Sequence, residues 1–214
     1  MIKKDYKAVI FDLDGVIVST DECHYEAWKM LADEENIYFD KTINQRLRGV
    51  SRMESLEIIL ERAEKEYTDE EKVEMATRKN GYYVEKIKSL DKNATLDGAV
   101  EFVNLAKANG LKVAIGSSSK NTMAILKQTE CENLFDAIAD GNDIKNSKPA
   151  PDVFLVAAKK LGISPQECMV VEDAEAGVDA ASAAGMDVLA VGYASSYKKA
   201  TYSAESLGEI VRNI

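Results

Sequence analysis

Short apolar runs rich in β-branched residues recur along the chain and predict buried strands. There are five such runs, at residues 7–12, 111–117, 135–140, 168–173 and 187–193. Each is almost continuously apolar, whereas a strand with one solvated face would alternate apolar and polar residues. The pattern is therefore typical of strands covered on both faces, and it favours a parallel sheet.

Between these runs the apolar residues follow helical spacing. In residues 99–106 and 154–161 they recur at intervals of three and four, and the two patterns end before Gly110 and Gly162. A glycine just beyond the last periodic residue is a common helix terminator. The alternation of strands and helices predicts the fold class α/β, with a Rossmann-like, doubly wound parallel sheet as its core.

A long charged stretch from Asp21 to Lys92 interrupts this alternation. Its spacing is helical throughout, and it contains no convincing strand. Ser51 with Glu54, and Thr68 with Glu71, each have the spacing of a capping box, in which two side chains satisfy free backbone N–H groups at the start of a helix. The stretch is therefore predicted to be an all-helical insertion.

This insertion defines the predicted domain boundaries. Residues 20–92 are expected to form a helical cap domain, and residues 1–19 together with 93–214 an α/β core. Because the insertion leaves the core directly after the first strand, we expect the cap to lie over the C-terminal end of that strand. We also expect it to close over a bound substrate and to exclude water during the reaction.

Composition restricts the possible partners and locations. The 214 residues carry a formal net charge of −10, which argues against non-specific binding to nucleic acid or anionic lipid, because both need a basic surface. No apolar run approaches the roughly 20 residues needed to cross a bilayer, and the N-terminal residues lack the pattern of a signal peptide. We therefore expect a cytoplasmic protein without a nucleic-acid or membrane partner, and nothing in the sequence requires more than a monomer.

Polar residues follow four of the five predicted strands, at the edge where open α/β sheets bind their ligands. In chain order, these residues are Asp12 and Asp14 after the first strand, Ser117, Ser118 and Ser119 after the second, Lys148 in the loop after the third, and Glu172 and Asp173 after the fourth. We expect their side chains to converge in the folded chain.

The chemistry of this set favours phosphoryl transfer. Three acids within reach of one another repel strongly unless a cation lies between them, and an oxygen-only ligand set favours Mg²⁺. Hydroxyl groups and a lysine beside the metal would hold the remaining oxygens of a phosphate. Asp12 at the strand tip can attack phosphorus to form an aspartyl-phosphate, and Asp14, two residues on, can serve as general acid and base.

Each of these features alone has a more ordinary interpretation. Carboxylates and serines in a loop between a strand and a helix are more often helix N-caps than catalysts. Lys148, which precedes Pro149, is typical of a solvated loop. The catalytic interpretation depends on their occurrence together, in this order and each at a strand end. A catalytically idle binding protein of the same fold is expected to lack Asp12 or Lys148, and both are present.

These segments resemble the four motifs of the haloacid dehalogenase superfamily over the whole length of the chain. The matching segments are DLDGV, the serine that ends the second strand, the lysine of SKPAPD, and VVEDAEAG. The resemblance implies that Asp12 is the nucleophile and Asp14 the acid and base, with Ser117 and Lys148 on the transferring phosphate. It also implies Mg²⁺ held by Asp12, the main-chain carbonyl of Asp14, Glu172 and Asp173.

Within that superfamily the chain is most similar to the β-phosphoglucomutase-like subgroup. The shared segments include TDECHYEAW, RGVSRMES, RKN at 78–80, SSSKN and FDAIAD. The similarity implies a mutase that converts β-D-glucose 1-phosphate to glucose 6-phosphate through an aspartyl-phosphate, with glucose 1,6-bisphosphate as intermediate and activator. If water rather than a sugar hydroxyl attacks the aspartyl-phosphate, the chain is instead a Mg²⁺-dependent sugar-phosphate phosphatase.

The same similarity implies contacts to the phosphosugar substrate. Arg52 would grip the phosphate that is not transferred, assisted by Ser55 and Lys79, while Thr20 and His24 would tether Asp14 near the hinge. The full set of predicted substrate-binding residues is Thr20, His24, Trp28, Arg48, Arg52, Ser55, Lys79, Ser119 and Asn121.

Several of these residues also have a structural interpretation. Arg48 and Lys79 could be helix-surface cations paired with glutamates, and His24 could be a surface helix residue. Trp28 has helical spacing with its apolar neighbours, which is typical of packing within the cap.

Overall fold

The computed structural model describes residues 5–47 and 50–214. The chain forms two compact units. The first, called the core unit below, consists of the described residues up to Ser19 together with Asp91–Ile214, and the second, the helical unit, is Thr20–Leu90. The insertion predicted from the sequence ends at residue 92, and the helical unit ends at Leu90.

The core unit is built on a six-stranded parallel sheet with strand order β3-β2-β1-β4-β5-β6. The strands are β1 Ala8–Phe11, β2 Lys112–Gly116, β3 Ala137–Ala139, β4 Cys168–Glu172, β5 Asp187–Ala190 and β6 Tyr202–Ser203. The five predicted strands are confirmed, and each lies within its apolar run. The predicted α/β fold class is confirmed with them. The sequence analysis did not predict β6.

In the described residues of the core unit, four helices lie in connections between successive strands and a fifth follows the last strand. They are α5 Ala99–Ala108, α6 Thr122–Gln128, α7 Asp152–Leu161, α8 Glu175–Ala183 and α9 Leu207–Arg212. Short 3₁₀ turns occur at Lys92–Ala94, Pro165–Glu167 and Gly192–Ser196. Gly162 has a φ of +70° immediately after α7, which is the left-handed conformation that the sequence pattern assigns to a helix-terminating glycine.

Alternate residues along the strands face one layer of helices. Ala8 and Ile10 of β1 belong to a buried cluster with Phe154 and Ala157 of α7 and Val178 of α8. Because α7 carries its apolar residues at helical spacing, it covers this face of the sheet and packs against β1, β2 and β3.

The described residues of the helical unit, 20–47 and 50–90, form four helices. These are α1 Asp21–Glu34, α2 Lys41–Gln45, α3 Arg52–Leu60 and α4 Asp69–Ile87. Both predicted capping boxes are confirmed, Ser51 with Glu54 at the start of α3 and Thr68 with Glu71 at the start of α4. The described residues contain no helix that combines the length and apolarity needed to cross a membrane.

Candidate active site

The register of the sheet brings the motif-bearing strands to a common edge. Phe11 of β1 pairs with Ile115 of β2 and with Val171 of β4. Asp12, one residue beyond β1, donates its backbone N–H to the carbonyl of Val171 at 2.9 Å. The residue that follows Val171 is Glu172, so the two carboxylates leave adjacent strands at the same level.

Lys148 lies between these two carboxylates. Its ammonium Nζ is 2.5 Å from Oδ1 of Asp12 and 2.6 Å from Oε1 of Glu172, and its side chain is only 10% exposed. Burial alone would lower the pKa of the ammonium, but the charges of Asp12 and Glu172 outweigh burial and raise that pKa above its usual value. Lys148 is therefore a fixed positive charge beside the predicted nucleophile.

A third carboxylate completes an acidic group that could hold a metal ion. Asp12, Glu172 and Asp173 each offer an oxygen, and the three oxygens lie within 4.8 Å of one another. Burial, followed by the charges of Glu172, Asp12 and Asp14, raises the pKa of Asp173 to about 9. This repulsion and the oxygen-only donor set fit a hard divalent cation. The Asp14 carboxylate is outside the group of three; the resemblance assigns its main-chain carbonyl, not its side chain, to the metal.

Two glycines make room for the acidic group, and sequence reasoning did not assign either of them a role. A Cβ atom on Gly15, whose φ is +86°, would lie 2.1 Å from Oδ2 of Asp173. A Cβ atom on Gly177, in α8, would lie 1.8 Å from Oε1 of Glu172. Both glycines belong to the motif segments DLDGV and VVEDAEAG, so the signal was present, but the contacts that explain it are tertiary.

Burial also raises the pKa of Glu172, an effect that the charge of Lys148 opposes and that of Asp12 reinforces. The second oxygen of Glu172 accepts a hydrogen bond from the backbone N–H of Ala174 at 2.8 Å. One carboxylate thus holds both the lysine and the loop that leads into α8. This double contact fixes the direction of the Glu172 side chain.

The predicted phosphate-binding serines follow β2 in a tight loop. The Oγ of Ser117, which is buried, accepts a hydrogen bond from the N–H of Ser119 at 3.2 Å, and the Oγ of Ser119 accepts one from the N–H of Asn121 at 3.2 Å. Ser118 contacts the lysine loop, because its Oγ lies 3.5 Å from the backbone N of Lys148. Ser118 therefore joins the β2 loop to the lysine, while the roles of Ser119 and Asn121 toward substrate stay predictions.

In the helical unit, two predicted substrate residues contact each other. The Lys79 ammonium is 2.9 Å from Nδ1 of His24, and it lies 4.7 Å from the ring centroids of both Trp28 and Tyr83. Lys79 is 2% exposed, so it is not the surface cation of the alternative interpretation. Burial, then the charges of Lys79 and Arg52, hold the pKa of His24 well below its usual range, so its imidazole is neutral near pH 7.

The remaining predicted residues of this unit are distributed around the same helices. The Oγ1 of Thr20 accepts a hydrogen bond from the Tyr83 hydroxyl at 3.1 Å, and Ser55 is buried in α3. Arg52, at the start of α3, is exposed and donates a 2.8 Å hydrogen bond to Oδ1 of Asn80 in α4. Trp28 is buried in the core of the unit. Arg48 lies outside the described residues.

Comparison with known proteins identifies the family. The family model for haloacid dehalogenase-like hydrolases matches residues 6–185. The chain is 45% identical over 188 residues to the β-phosphoglucomutase of Bacillus subtilis (strain 168), covering 87% of this chain and 83% of that protein. It is 31% identical over 184 residues to the phosphorylated carbohydrates phosphatase of Thermotoga maritima, covering 85% and 82%.

Comparison with solved structures also finds a similar β-phosphoglucomutase. The crystal structure of β-phosphoglucomutase from Clostridium difficile matches with a TM-score of 0.86 at 42% identity, over 96% of this chain and 93% of that one. The predicted family and subgroup likeness are thereby confirmed. The chain is an enzyme that belongs to the haloacid dehalogenase-like hydrolase family.

Proposed function

We propose that the chain is a phosphosugar mutase that interconverts β-D-glucose 1-phosphate and glucose 6-phosphate, with glucose 1,6-bisphosphate as intermediate and activator. The observation that carries the proposal is the position of Lys148 between Asp12 and Glu172. A carboxylate oxygen of Asp173 lies within 4.8 Å of an oxygen of each of these two acids. The 45% identity to a protein named β-phosphoglucomutase supports the choice of this reaction within the family.

The first step transfers the phosphoryl group to Asp12. A carboxylate oxygen of Asp12 attacks one phosphorus of glucose 1,6-bisphosphate, the bond from that phosphorus to the sugar oxygen breaks, and Asp14 gives its proton to the departing oxygen of the glucose monophosphate. In the second step Asp14 takes the proton of a hydroxyl of β-D-glucose 1-phosphate. That hydroxyl attacks the aspartyl-phosphate, which restores the Asp12 carboxylate and forms the bisphosphate again. Lys148 offsets negative charge in both steps, because it is already 2.5 Å from Oδ1 of Asp12.

Mg²⁺ fits the acidic group. Asp12, Glu172, Asp173 and the main-chain carbonyl of Asp14 would hold it, and the bound ion supplies positive charge that stabilises the transferring phosphoryl oxygens. The chain's own donors for those oxygens are Lys148 and the hydroxyls of Ser117 and Ser118. Arg52 is assigned to the phosphate that is not transferred, because an exposed guanidinium can bind phosphate through two N–H groups.

A magnesium-dependent sugar-phosphate phosphatase is the second candidate. The 31% identity to a protein named phosphorylated carbohydrates phosphatase favours it, since both reactions share the transfer to Asp12. They differ only in whether water or a sugar hydroxyl attacks the aspartyl-phosphate.

The partition of product between glucose 6-phosphate and inorganic phosphate tests the proposal. The protein is incubated with β-D-glucose 1-phosphate, Mg²⁺ and a trace of glucose 1,6-bisphosphate, and both products are followed over time. A mutase accumulates glucose 6-phosphate with little inorganic phosphate, whereas inorganic phosphate as the main product supports the phosphatase. Asp12→Asn, measured in parallel, controls for contaminating activity and should form neither product.

A further inference from the structure

The ammonium of Lys148 has a third contact besides the two carboxylates. It lies 4.7 Å from the ring centroid of Phe154, which is fully buried at 0% exposure. At this distance a cation is attracted by the negative face of an aromatic ring, and the attraction is strongest where the cation has lost its water. Since the Lys148 side chain is only 10% exposed, it meets that condition.

The ring is held in place from several sides. Phe154 belongs to α7 and packs in the cluster that covers one face of the sheet, together with Ile10 of β1. Gly116, the last residue of β2, lies so close to the ring that a Cβ atom there would be 2.8 Å from Cδ1 of Phe154. The ring therefore has little freedom to turn or to shift away from the ammonium.

The ring contact differs from the two carboxylate contacts in one respect. The proposed reaction changes the charge on Asp12, which becomes an acyl phosphate, and Glu172 belongs to the acidic group that could hold a cation. Both salt bridges to Lys148 can therefore weaken during turnover. The ring of Phe154 keeps the same charge distribution throughout.

We propose that Phe154 is a positioning residue for the proposed reaction, holding the Lys148 ammonium beside the transferring phosphoryl group while the charges on Asp12 and Glu172 change. This inference rests on the proposed phosphoryl transfer to Asp12. It assigns Phe154 no contact with substrate, because the ring acts only through Lys148.

Graded fluorination of the ring tests this role. Phe154 is replaced in the full-length protein by 4-fluoro-, 3,5-difluoro- and 3,4,5-trifluorophenylalanine, which weaken the negative ring face while changing its shape little. Phosphorylation of Asp12 by acetyl phosphate is measured with Mg²⁺ present. We expect kcat/KM to fall with each added fluorine, by about 3- to 30-fold for the trifluoro ring, while the melting temperature stays nearly constant.

Replacing Phe39 with the same three fluorinated phenylalanines provides a matched control. Phe39 is also buried, at 2% exposure, but its ring stacks on Tyr25 in the helical unit. Fluorination there should leave kcat/KM for acetyl phosphate unchanged. Phe154→Leu, which keeps an apolar side chain but removes the ring face, should lower kcat/KM at least as far as the trifluoro ring does.

The outcomes separate this inference from the proposed function. If Phe154→Leu is slow but kcat/KM is flat across the fluorinated series, Phe154 is only a packing residue and the inference is wrong. If the wild-type protein accepts no phosphoryl group from acetyl phosphate, the proposed function is wrong, and this inference, which rests on it, is wrong as well. A graded loss at Phe154 with none at Phe39 supports the positioning role.

Discussion

Each unit of the molecule buries a lysine, but the two lysines have different neighbours. In the core unit, the ammonium of Lys148 lies between the carboxylates of Asp12 and Glu172. In the helical unit, the ammonium of Lys79 lies against a neutral histidine, His24, and against the faces of Trp28 and Tyr83. The first lysine is balanced by charges that the proposed reaction uses, whereas these contacts of the second are to neutral groups.

The difference indicates what each region can bind. The acidic group around Lys148 is suited to a divalent cation and to a phosphoryl group that forms and breaks bonds. His24 lies near two cations, since burial and then the charges of Lys79 and Arg52 lower the pKa of its imidazole. These two cations belong to the group of residues that we propose for the phosphate that is held without reacting.

Removal of the proposed nucleophile should have the largest effect. Asp12→Asn keeps the size of the side chain but replaces the attacking carboxylate with an amide, so we expect turnover of β-D-glucose 1-phosphate to fall by at least about 10⁴-fold. The assay is initial-rate kinetics with Mg²⁺, accompanied by circular dichroism to verify folding. Retention of even a tenth of the activity would mean that Asp12 does not accept the phosphoryl group.

Lys148→Met should reduce both activity and stability. It leaves the Asp12 and Glu172 carboxylates buried without their shared cation, and breaking a buried ion pair costs about 3–5 kcal/mol. We expect turnover to fall about 10²- to 10³-fold, and chemical denaturation should give the stability loss. The matched control is Lys29→Met, which breaks the exposed Lys29–Asp33 pair and should cost less than about 1 kcal/mol. Equal losses in the two variants would contradict the description of Lys148 as a buried, charge-balanced group.

Arg52→Ala should separate the two regions functionally. The guanidinium is assigned to the phosphate that is not transferred, so mutase turnover should fall about 10- to 100-fold because a charged hydrogen-bonding group is lost. Phosphorylation of Asp12 by acetyl phosphate, which has no second phosphate, should be nearly unchanged. If both rates fall equally, Arg52 does not act on a distal phosphate. Arg62→Ala, an exposed cation of the same unit, provides the control.

Asp173→Asn should stabilise the metal-free protein by about 1–3 kcal/mol at about pH 8, because asparagine is neutral in both states, whereas Asp173 must take up a proton to become buried there. The pKa of Asp173 is raised to about 9 from 3.8, so the folded state holds a proton that the unfolded state has lost. The stability of the metal-free wild type therefore declines as pH rises between these two values. Thermal melts across that range should show a difference between variant and wild type that grows with pH. A constant difference would argue against the raised pKa.

The smallest effect is expected from His24. Because its folded-state pKa is held well below the ordinary value of 6.5, the unfolded state binds a proton first as pH falls. The stability supplied by the neutral imidazole is thus present above about pH 6.5 and decreases below it, by about 1 kcal/mol near pH 5.5. Urea denaturation of wild type and His24→Gln should diverge in this pH dependence. Parallel pH profiles would show that His24 titrates normally.

Sequence patterns predicted the features that depend on local chemistry. The five apolar runs, the capping boxes at Ser51 and Thr68, and the polar residues at the strand ends are all encoded within a few neighbouring residues. The strand β6 could not be predicted in this way, since Tyr202–Ser203 is too short to show a period.

Contacts between distant segments were beyond the reach of such patterns. A lysine in a charged helix has the pattern of a surface residue, and only the fold brings Lys79 to His24, 55 positions earlier. The same holds for Gly177 under the carboxylate of Glu172, and for Phe154 beside Lys148. In each of these three pairs, the two residues are brought together by the packing of helices on the sheet or on one another.

The most direct test of the account is the covalent state of Asp12 during turnover. Wild-type protein is mixed with β-D-glucose 1,6-bisphosphate and Mg²⁺, quenched in acid within milliseconds, digested and examined by tandem mass spectrometry. We expect a phosphoryl group on the peptide that contains DLDGV, attached to Asp12 and absent from Asp12→Asn. A phosphoryl group attached to another residue, or turnover without any phosphorylated protein, would contradict the claim that Asp12 accepts the phosphoryl group.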